Sequence, residues 1–326
     1  MPAFTASAPG KIILFGEHAV VYGRPALAVP VQAVQARAIV RADVSARRGA
    51  IRLISPAIQL DQELSALSPQ HPLRRAVELT AEHLQIRSIP ACQIRIQSTI
   101  PVAGGLGSGA AVSIALIRAL AAYLGRPLPA EQVSALAYEV EKIHHGTPSG
   151  VDNTVIAFEQ AVVYTRGQPI QPIRIQLPFH LIIADTGIPS PTAQTVGDVR
   201  TAWQADPPRY EAIFDQMADI VHQAIACLAN PPLDQPAGDS QSSYLQALGQ
   251  LMNDNHQLLK LLGVSCAELD ALAQTALEAG AFGAKLSGGG RGGNLIVLIE
   301  KGQSEQVSKA LRAAGARQTL ITLVGN

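Results

Sequence analysis

The sequence predicts a two-domain protein of the α/β or α+β class, and three observations support this prediction. A chain of 326 residues is long for a single hydrophobic core. Apolar residues make up 48 % of the chain and aromatic residues only 4 %, so the cores are built mainly from Ala, Leu, Ile and Val. Segments with the alternation of β-strands are interspersed with segments that have the apolar spacing of helices.

The first part of the chain is predicted to contain four strands followed by two helices. Alternation of apolar and polar residues predicts strands at 11–14, 35–44, 51–54 and 93–100. A segment that is apolar nearly all round predicts a buried helix from Gly109 to Leu124. A second helix is predicted from about Pro129 to His145, because Gly146 and Pro148 follow it.

The rest of the chain is predicted to alternate between helices and apolar strands. Strands are expected at 161–165, 181–185, 294–300 and 319–324, and helices at about 209–229, 241–261, 266–279 and 303–314. Three prolines near Gly167–Pro178 place the predicted boundary between a domain of residues 1–175 and one of residues 176–326. The segment Asn230–Asp239 is predicted to be a turn-rich connector between two helices.

Charge and composition exclude several classes of function. The formal net charge is +0 with no run of five like charges, which argues against a nucleic-acid or membrane-surface binder. The N-terminus does not resemble a secretory leader, and no apolar segment reaches membrane-spanning length, so a cytoplasmic protein is expected. Three scattered cysteines (Cys92, Cys227 and Cys266) argue against a disulfide framework and are predicted to be buried thiols.

Four glycines between Gly104 and Gly109 lie between the strand at 93–100 and the buried helix. Exposed backbone N–H groups followed at once by a helix N-terminus are suited to a phosphate, and Ser108 adds a hydroxyl. A dinucleotide fold is excluded because the acidic residue about 20 positions on opens a helix, and no Lys-Ser or Lys-Thr follows as in a Walker motif. The alternative is that the glycines only form a tight turn and bind no phosphate.

Three further segments carry polar residues in unusual settings. Lys11 and the pair Glu17-His18 interrupt the apolar stretch Ser7–Gly23, where polar groups need partners. Glu141 borders the buried stripe of its helix, and Asp152 follows a Gly-Thr-Pro-Ser-Gly turn. The segment Gly283–Ile299 is predicted to hold a second glycine loop between a helix and a strand. Taken alone, Lys11 is compatible with a surface lysine and Asp152 with a turn or helix cap.

Together these four segments resemble, in order and spacing, the motifs of the GHMP kinases, and within that superfamily most closely the mevalonate kinases. The resemblance is carried by Ala8-Pro9-Gly10-Lys11 with Gly16-Glu17-His18, by Pro101–Ala111, by His145–Asn153 and by Lys285–Gly293. It implies an α+β fold of two domains, the N-terminal one similar to ribosomal protein S5 domain 2 and the C-terminal one ferredoxin-like. It also implies ATP-dependent phosphorylation of mevalonate at its 5-hydroxyl, with Mg²⁺ as cofactor.

The resemblance further assigns roles to individual residues. Asp152 would be the catalytic carboxylate beside the substrate hydroxyl, with Lys11 next to it. Mg²⁺ would be held by Glu141 and Ser108, and the acceptor substrate would be bordered by Glu17, His18, Asp152 and Thr192. The phosphates of ATP would lie on Gly104, Gly105, Leu106, Gly107, Ser108, Gly109 and Ala110. The third glycine motif comprises Ser287, Gly288, Gly289 and Gly290.

Two departures from the family pattern leave alternatives open. Gly109 stands where the family commonly has a serine ligand of magnesium, and Arg291 interrupts the third motif as either a solvated side chain or a phosphate ligand. The alternatives are another kinase of the family, such as a phosphomevalonate kinase or a mevalonate 3-kinase, or a non-catalytic homologue that binds ATP or a metabolite. The expected partners are mevalonate and ATP; the oligomeric state is left open, and a homodimer is compatible with the sequence.

Overall fold

A computed structural model describes residues 2–101, 105–145, 148–231 and 237–325. The chain forms two compact units, each assembled from several segments. The first unit comprises Met1–Lys11, Val34–Pro101 and Gly107–Glu159, and the second comprises Ile12–Ala33, Val102–Leu106 and Gln160–Asn326. The domain boundary predicted between residues 175 and 176 stays a prediction. None of the described helices is long and apolar enough to cross a membrane.

The first unit combines a sheet with four helices. Its strands are β3 (Ile51–Ser55), β4 (Leu60–Glu63), β5 (Cys92–Ser98) and parts of β1 (Ala3–Phe15) and β2 (Ala26–Ala42). Strand β5 pairs in parallel with β3 and antiparallel with β2, β3 pairs with β4, and β1 pairs with β2. The helices are α1 (Pro72–His83), α2 (Ser108–Tyr123), α3 (Ala130–His145) and α4 (Val151–Phe158).

Helix α2 is the centre of the first unit's helical layer. It contacts α1, α3, α4 and strand β5. Its sequence is rich in alanine and apolar on every side, and this allows neighbouring helices to approach closely from several directions. On β5 the alternating residues Ile94 and Ile96 are buried, as the sequence pattern predicts. The predicted half-buried strand and the predicted buried helix that frame the first glycine loop are therefore confirmed.

The second unit contains an antiparallel four-stranded sheet in the order β11-β8-β10-β9. The strands of this sheet are β8 (Phe179–Asp185), β9 (Gly283–Ser287), β10 (Asn294–Ile299) and β11 (Gln318–Val324). The unit also contains the short strands β6 (Val162–Tyr164) and β7 (Gln171–Pro172). Its helices are α5 (Thr192–Ala205), α6 (Pro207–Ala229), α7 (Ala237–Leu261), α8 (Ala267–Glu278) and α9 (Ser304–Ala313). The first residues of β2 also belong to this unit and pair with β6, which pairs with β7.

Helix α7 lies directly on strand β9 because two glycines face each other there. A Cβ atom on Gly283 would lie 2.3 Å from the carbonyl oxygen of Gly249, so no larger residue fits without a shift. Every residue of β9 and β10 is buried. The second glycine loop, residues 288–293, therefore projects from the end of a rigid hairpin.

The structure corrects the sequence interpretation at several points. The second glycine loop joins two antiparallel strands, β9 and β10, and not a helix and a strand as predicted. Helix α7 begins at Ala237, inside the predicted connector Asn230–Asp239. Of the three cysteines only Cys92 is buried, whereas the other two are partly exposed. Elements without a sequence prediction are α1, α4, α5, β4, β7 and β9.

Candidate active site

In the first unit, Lys11 and Asp152 form an ion pair, as their predicted common role requires. Lys11 lies in β1 and is only 5 % exposed. Its Nζ lies 2.8 Å from Oδ1 of Asp152, whose side chain remains 27 % exposed. The ammonium is thus buried against the protein, while part of the carboxylate faces outward. An ammonium and a carboxylate in this arrangement can meet a hydroxyl group and the charge that develops on its oxygen.

Hydrogen bonds near both ends of helix α4 fix the position of Asp152. It lies in the first turn of α4, which begins after Gly150 in the left-handed conformation with φ 88°. The neighbouring Asn153 is buried and its Nδ2 donates to Ser134 on α3, to the carbonyl oxygen at 3.1 Å and to Oγ at 2.8 Å. Arg118 on α2 donates to the carbonyl of Ala157 near the other end of α4. Helix α4 is therefore held at both ends, and Asp152 with it.

Glu141 on α3 belongs to the same cluster. The pKa of its carboxyl group is raised to about 8, mainly by burial and also by the negative charge of Asp152, while Lys11 acts in the opposite direction. One ammonium thus faces two carboxyl groups. The cluster can accept another cation, because a positive charge would stabilise the ionised form of Glu141.

The N-terminus of α2 is packed against this cluster. Gly107, the N-cap residue, has φ 72°. A Cβ atom there would lie 3.0 Å from Cγ of Lys11, 3.3 Å from Oδ2 of Asp152 and 2.9 Å from Cδ1 of Ile156. Only glycine fits both the conformation and the space. The structure therefore brings the predicted phosphate loop and the predicted catalytic pair into contact at Gly107.

The remaining residues of the predicted phosphate loop lie on both sides of Gly107. Ser108, Gly109 and Ala110 form the first turn of α2, where backbone N–H groups have no partner within the helix and the helix dipole is positive. A Cβ atom on Gly109 would meet nothing within 4 Å, so packing does not explain the missing serine. Gly105 and Leu106 belong to the second unit. Gly104 lies outside the described residues.

In the second unit, Glu17 pairs with Lys285. Both side chains are at most 1 % exposed, and Nζ of Lys285 donates to Oε1 of Glu17. The sequence indicated that Glu17 needs a partner but not which one, because Lys285 lies 268 positions away. A lysine inside the apolar strand segment Gly283–Ser287 was the available signal, since a buried lysine requires a carboxylate.

His18 contacts the third glycine motif. Its Nε2 lies 3.1 Å from the carbonyl oxygen of Gly289, which can only accept, so Nε2 carries the proton. The pKa of His18 is lowered to about 4, mainly by burial and also by the charges of Arg291 and Lys285, while this hydrogen bond acts in the opposite direction. His18 is therefore a neutral imidazole at physiological pH.

Thr192 meets the same loop. It begins α5, and a Cβ atom on Gly289 would lie 2.4 Å from its Oγ1. Oγ of Ser190 donates to the carbonyl oxygen of Gly290 at 2.8 Å, and Oγ of Ser287 donates to that of Ile13 at 2.8 Å. The second unit thus brings His18 and Thr192, which the family resemblance places beside the acceptor substrate, together with the third glycine motif. Ser190 was not predicted to take part.

Arg291 is held by an ion pair. Its side chain, 33 % exposed, pairs with Asp198 on α5 and is thus not freely solvated, which is the reading that the sequence favours. A role as a phosphate ligand stays a prediction. Among the described residues, no group of three or more His, Cys, Asp or Glu side chains is arranged to hold a metal ion.

Known proteins are similar to nearly the whole of this chain. The model of the GHMP kinases N terminal domain matches residues 71–160, and that of the GHMP kinases C terminal domain matches residues 241–317. A mevalonate kinase of Pyrococcus abyssi is 34 % identical over 325 residues, which cover 95 % of this chain and 92 % of that protein. The chain belongs to the GHMP kinase family.

Further relatives of this GHMP kinase support the assignment. A mevalonate kinase of Thermococcus onnurineus is 36 % identical over 325 residues, or 95 % of this chain and 93 % of that protein. The crystal structure of L. major mevalonate kinase in complex with R-mevalonate has a TM-score of 0.80 and 30 % identity, and the match covers 99 % of this chain and 96 % of that chain. The α+β GHMP kinase fold that the sequence motifs imply is thereby confirmed, whereas the roles of single residues stay predictions.

Proposed function

We propose that this GHMP kinase transfers the γ-phosphate of ATP to the 5-hydroxyl of mevalonate. Its relatives at 34 % and 36 % identity over nearly their whole length are mevalonate kinases, and one similar structure holds R-mevalonate. The observation that carries the proposal is the contact of Gly107 with Lys11 and Asp152. It joins a lysine–carboxylate pair to a helix N-terminus that is suited to a phosphate.

ATP binds with its phosphates on the backbone of the first glycine loop and the first turn of α2. The N–H groups of Ser108, Gly109 and Ala110 point out of the helix, and the dipole of this 16-residue helix favours an anion there. Phosphoryl transfer passes through a loose and highly anionic transition state, so the catalytic work is mostly positioning and charge stabilisation. A protein with no net charge can supply both locally.

Asp152 and Lys11 act on the acceptor hydroxyl. The exposed part of the Asp152 carboxylate accepts the hydroxyl proton, or a hydrogen bond from it, and so orients the oxygen toward the γ-phosphate. The buried Lys11 ammonium, 2.8 Å from this carboxylate, stabilises the negative charge that develops on the same oxygen. Asn153 and Arg118 keep the pair in place by holding α4.

The residues present fit a magnesium ion. Mg²⁺ prefers hard oxygen ligands and is commonly held by one or two carboxylates together with substrate phosphates. Glu141, whose pKa is raised to about 8 beside Asp152, and the Ser108 hydroxyl are the side chains that would hold it. When bound, the ion would neutralise charge on the β- and γ-phosphate oxygens. Because Gly109 carries no hydroxyl, Glu141 and Ser108 are the ligands that this chain itself offers.

The acceptor substrate is bordered by His18 and Thr192 beside the third glycine motif. His18 is neutral, with its Nε2 proton on the Gly289 carbonyl. Thr192 presents its hydroxyl at the start of α5. Glu17 supports this region through its buried pair with Lys285. Neutral hydrogen-bonding groups of this kind suit an acceptor that carries hydroxyl groups.

ADP release, measured with ATP, Mg²⁺ and one acceptor at a time, tests the proposal. The acceptors are mevalonate, its 5-phosphate, homoserine and galactose, and mevalonate is expected to give the highest kcat/KM. Asp152→Ala is expected to lower kcat by about 10²- to 10⁴-fold, which is the usual contribution of a positioned acid–base group. Asp219→Asn, a change on the exposed face of α6, serves as the control with unchanged kcat.

Each other outcome rejects a part of the proposal. A higher kcat/KM with the 5-phosphate would make the protein a phosphomevalonate kinase. Turnover with none of the four acceptors would indicate a non-catalytic homologue. Equal kcat values for the parent and Asp152→Ala would reject the assigned site.

A further inference from the structure

Arg291 occupies a backbone position that normally requires glycine. Its φ is 55°, in the left-handed region, and it lies between Gly290 and Gly292, whose φ values are 75° and 142°. A non-glycine residue persists in this conformation when the surrounding structure fixes it. An arginine inside a glycine loop therefore needs contacts that hold it there.

Three contacts hold Arg291, two to the turn after α7 and one to helix α5. Its backbone N–H donates to the carbonyl oxygen of Val264 at 2.8 Å. Its Nε donates to the carbonyl oxygen of Gly263 at 3.2 Å. Its Nη1 forms an ion pair with Asp198 on α5. Arg291 thus connects the glycine loop to the turn after α7 and to helix α5.

The two glycines that flank Arg291 have no space for a side chain. A Cβ atom on Gly290 would lie 2.0 Å from the carbonyl oxygen of Val264, and one on Gly292 would lie 2.7 Å from that of Ile188. Backbone therefore packs directly against backbone on both sides of Arg291. A small change in the distance between the loop and α5 is transmitted to Gly289, which contacts both His18 and Thr192.

We propose that Arg291 and Asp198 form a latch that positions the third glycine loop against the start of α5 and thereby sets the affinity for the acceptor substrate. This role of the ion pair rests on the proposed function, in which the acceptor lies beside His18 and Thr192. Both are positioning residues, since they act through Gly289 and Thr192. The two side chains are 33 % and 49 % exposed, so the pair is screened by water and salt and its effect is moderate.

The test compares Arg291→Gly, Asp198→Ala and the double variant with the parent. Glycine accepts the left-handed conformation, so Arg291→Gly loses the ion pair without backbone strain and is expected to fold. Each variant is expected to raise KM for mevalonate about threefold, the effect of an exposed ion pair, while KM for ATP and kcat stay nearly unchanged. The double variant is expected to resemble the single variants, because the two residues form one interaction.

Two controls separate positioning from a general effect on stability. Gln85 is another exposed non-glycine residue with φ 55°, and it lies in the first unit. Gln85→Gly makes the same backbone change outside the glycine loop and is expected to leave KM for mevalonate unchanged. Arg291→Lys keeps the charge but loses the geometry of the guanidinium, so its KM is expected to lie between those of the parent and Arg291→Gly.

Hydrogen exchange provides a readout that does not depend on turnover. Both Arg291→Gly and Asp198→Ala are expected to increase exchange in residues 287–293 and 192–199. An unchanged KM for mevalonate, additive effects in the double variant, or unchanged exchange would overturn the latch. A parent without mevalonate-dependent ADP release contradicts the proposed function, whereas an active parent with unchanged variants contradicts the latch alone.

Discussion

Lys11–Asp152 and Glu17–Lys285 are both lysine–carboxylate pairs, yet their surroundings differ in two ways. The Glu17–Lys285 pair is completely buried, and its charges balance. The Lys11–Asp152 pair has a carboxylate that is 27 % exposed, and a second carboxyl group, Glu141, lies beside it with its pKa raised to about 8. A balanced, buried pair is typical of a structural role, because removing either partner leaves an uncompensated charge in the interior. An unbalanced, partly exposed cluster is suited to binding a cation and a polar substrate.

The largest effect is expected where the balanced pair is broken. Lys285→Met leaves the Glu17 carboxylate buried without its ammonium, which costs about 3–5 kcal/mol of the free energy of unfolding. Urea unfolding followed by circular dichroism measures this loss. Lys142→Met, which removes the exposed partner of Glu139, is the matched control and is expected to leave the unfolding curve nearly unchanged. Equal curves for the two variants would contradict the structural role of the buried pair.

A smaller effect on stability, with a clear effect on activity, is expected at Gly107. Gly107→Ala and Gly125→Ala both place alanine at a left-handed position, with φ 72° and 75°, at a cost of about 1–2 kcal/mol each. Only at Gly107 would the new Cβ also press on Lys11 and Asp152. We therefore expect a larger loss of Tm in Gly107→Ala than in Gly125→Ala, because only the first adds close contacts to the backbone strain, and a fall in kcat in Gly107→Ala alone. Loss of activity in both would indicate a general effect of backbone strain.

A third difference between the two clusters concerns the pH dependence of stability. A carboxyl group with its folded-state pKa raised from 4.5 to about 8 stabilises the fold only while it is protonated. Its contribution is complete below about pH 4.5 and is lost as the pH rises through about 8. The free energy of unfolding of the parent should thus fall relative to that of Glu141→Gln across this window. Glu131→Gln, an exposed change on the same helix, should follow the parent. Parallel curves for the parent and Glu141→Gln would contradict the raised pKa.

Much of the fold and the outline of the site could be predicted from the sequence. Alternation predicted β5, and apolar residues on all sides predicted the buried helix α2. The order of the four motifs indicated that Lys11, Asp152 and the glycine loop act together, and Gly107 makes that contact. Helix α1 is also predictable from the sequence, because Pro72 stands at its first position and its buried residues have helical spacing.

Other features could not be predicted, for physical reasons. Helix α4 has eight residues, and six of them are buried, so it shows no amphipathic period. The partners of Glu17 and Arg291 lie 268 and 93 positions away, and local patterns carry no information about such pairs. The loop after β9 appeared to follow a helix because β9 is short and contains glycine and lysine.

The most direct test of the central claim is the kcat for mevalonate of the double variant Lys11→Met/Asp152→Asn, compared with its two single variants. If the ion pair acts as one unit beside Gly107, either single change lowers kcat by about 10²- to 10⁴-fold and the double variant is little slower than the slower single variant. The account is contradicted if the two losses in activation free energy add in full, or if either single variant retains the kcat of the parent.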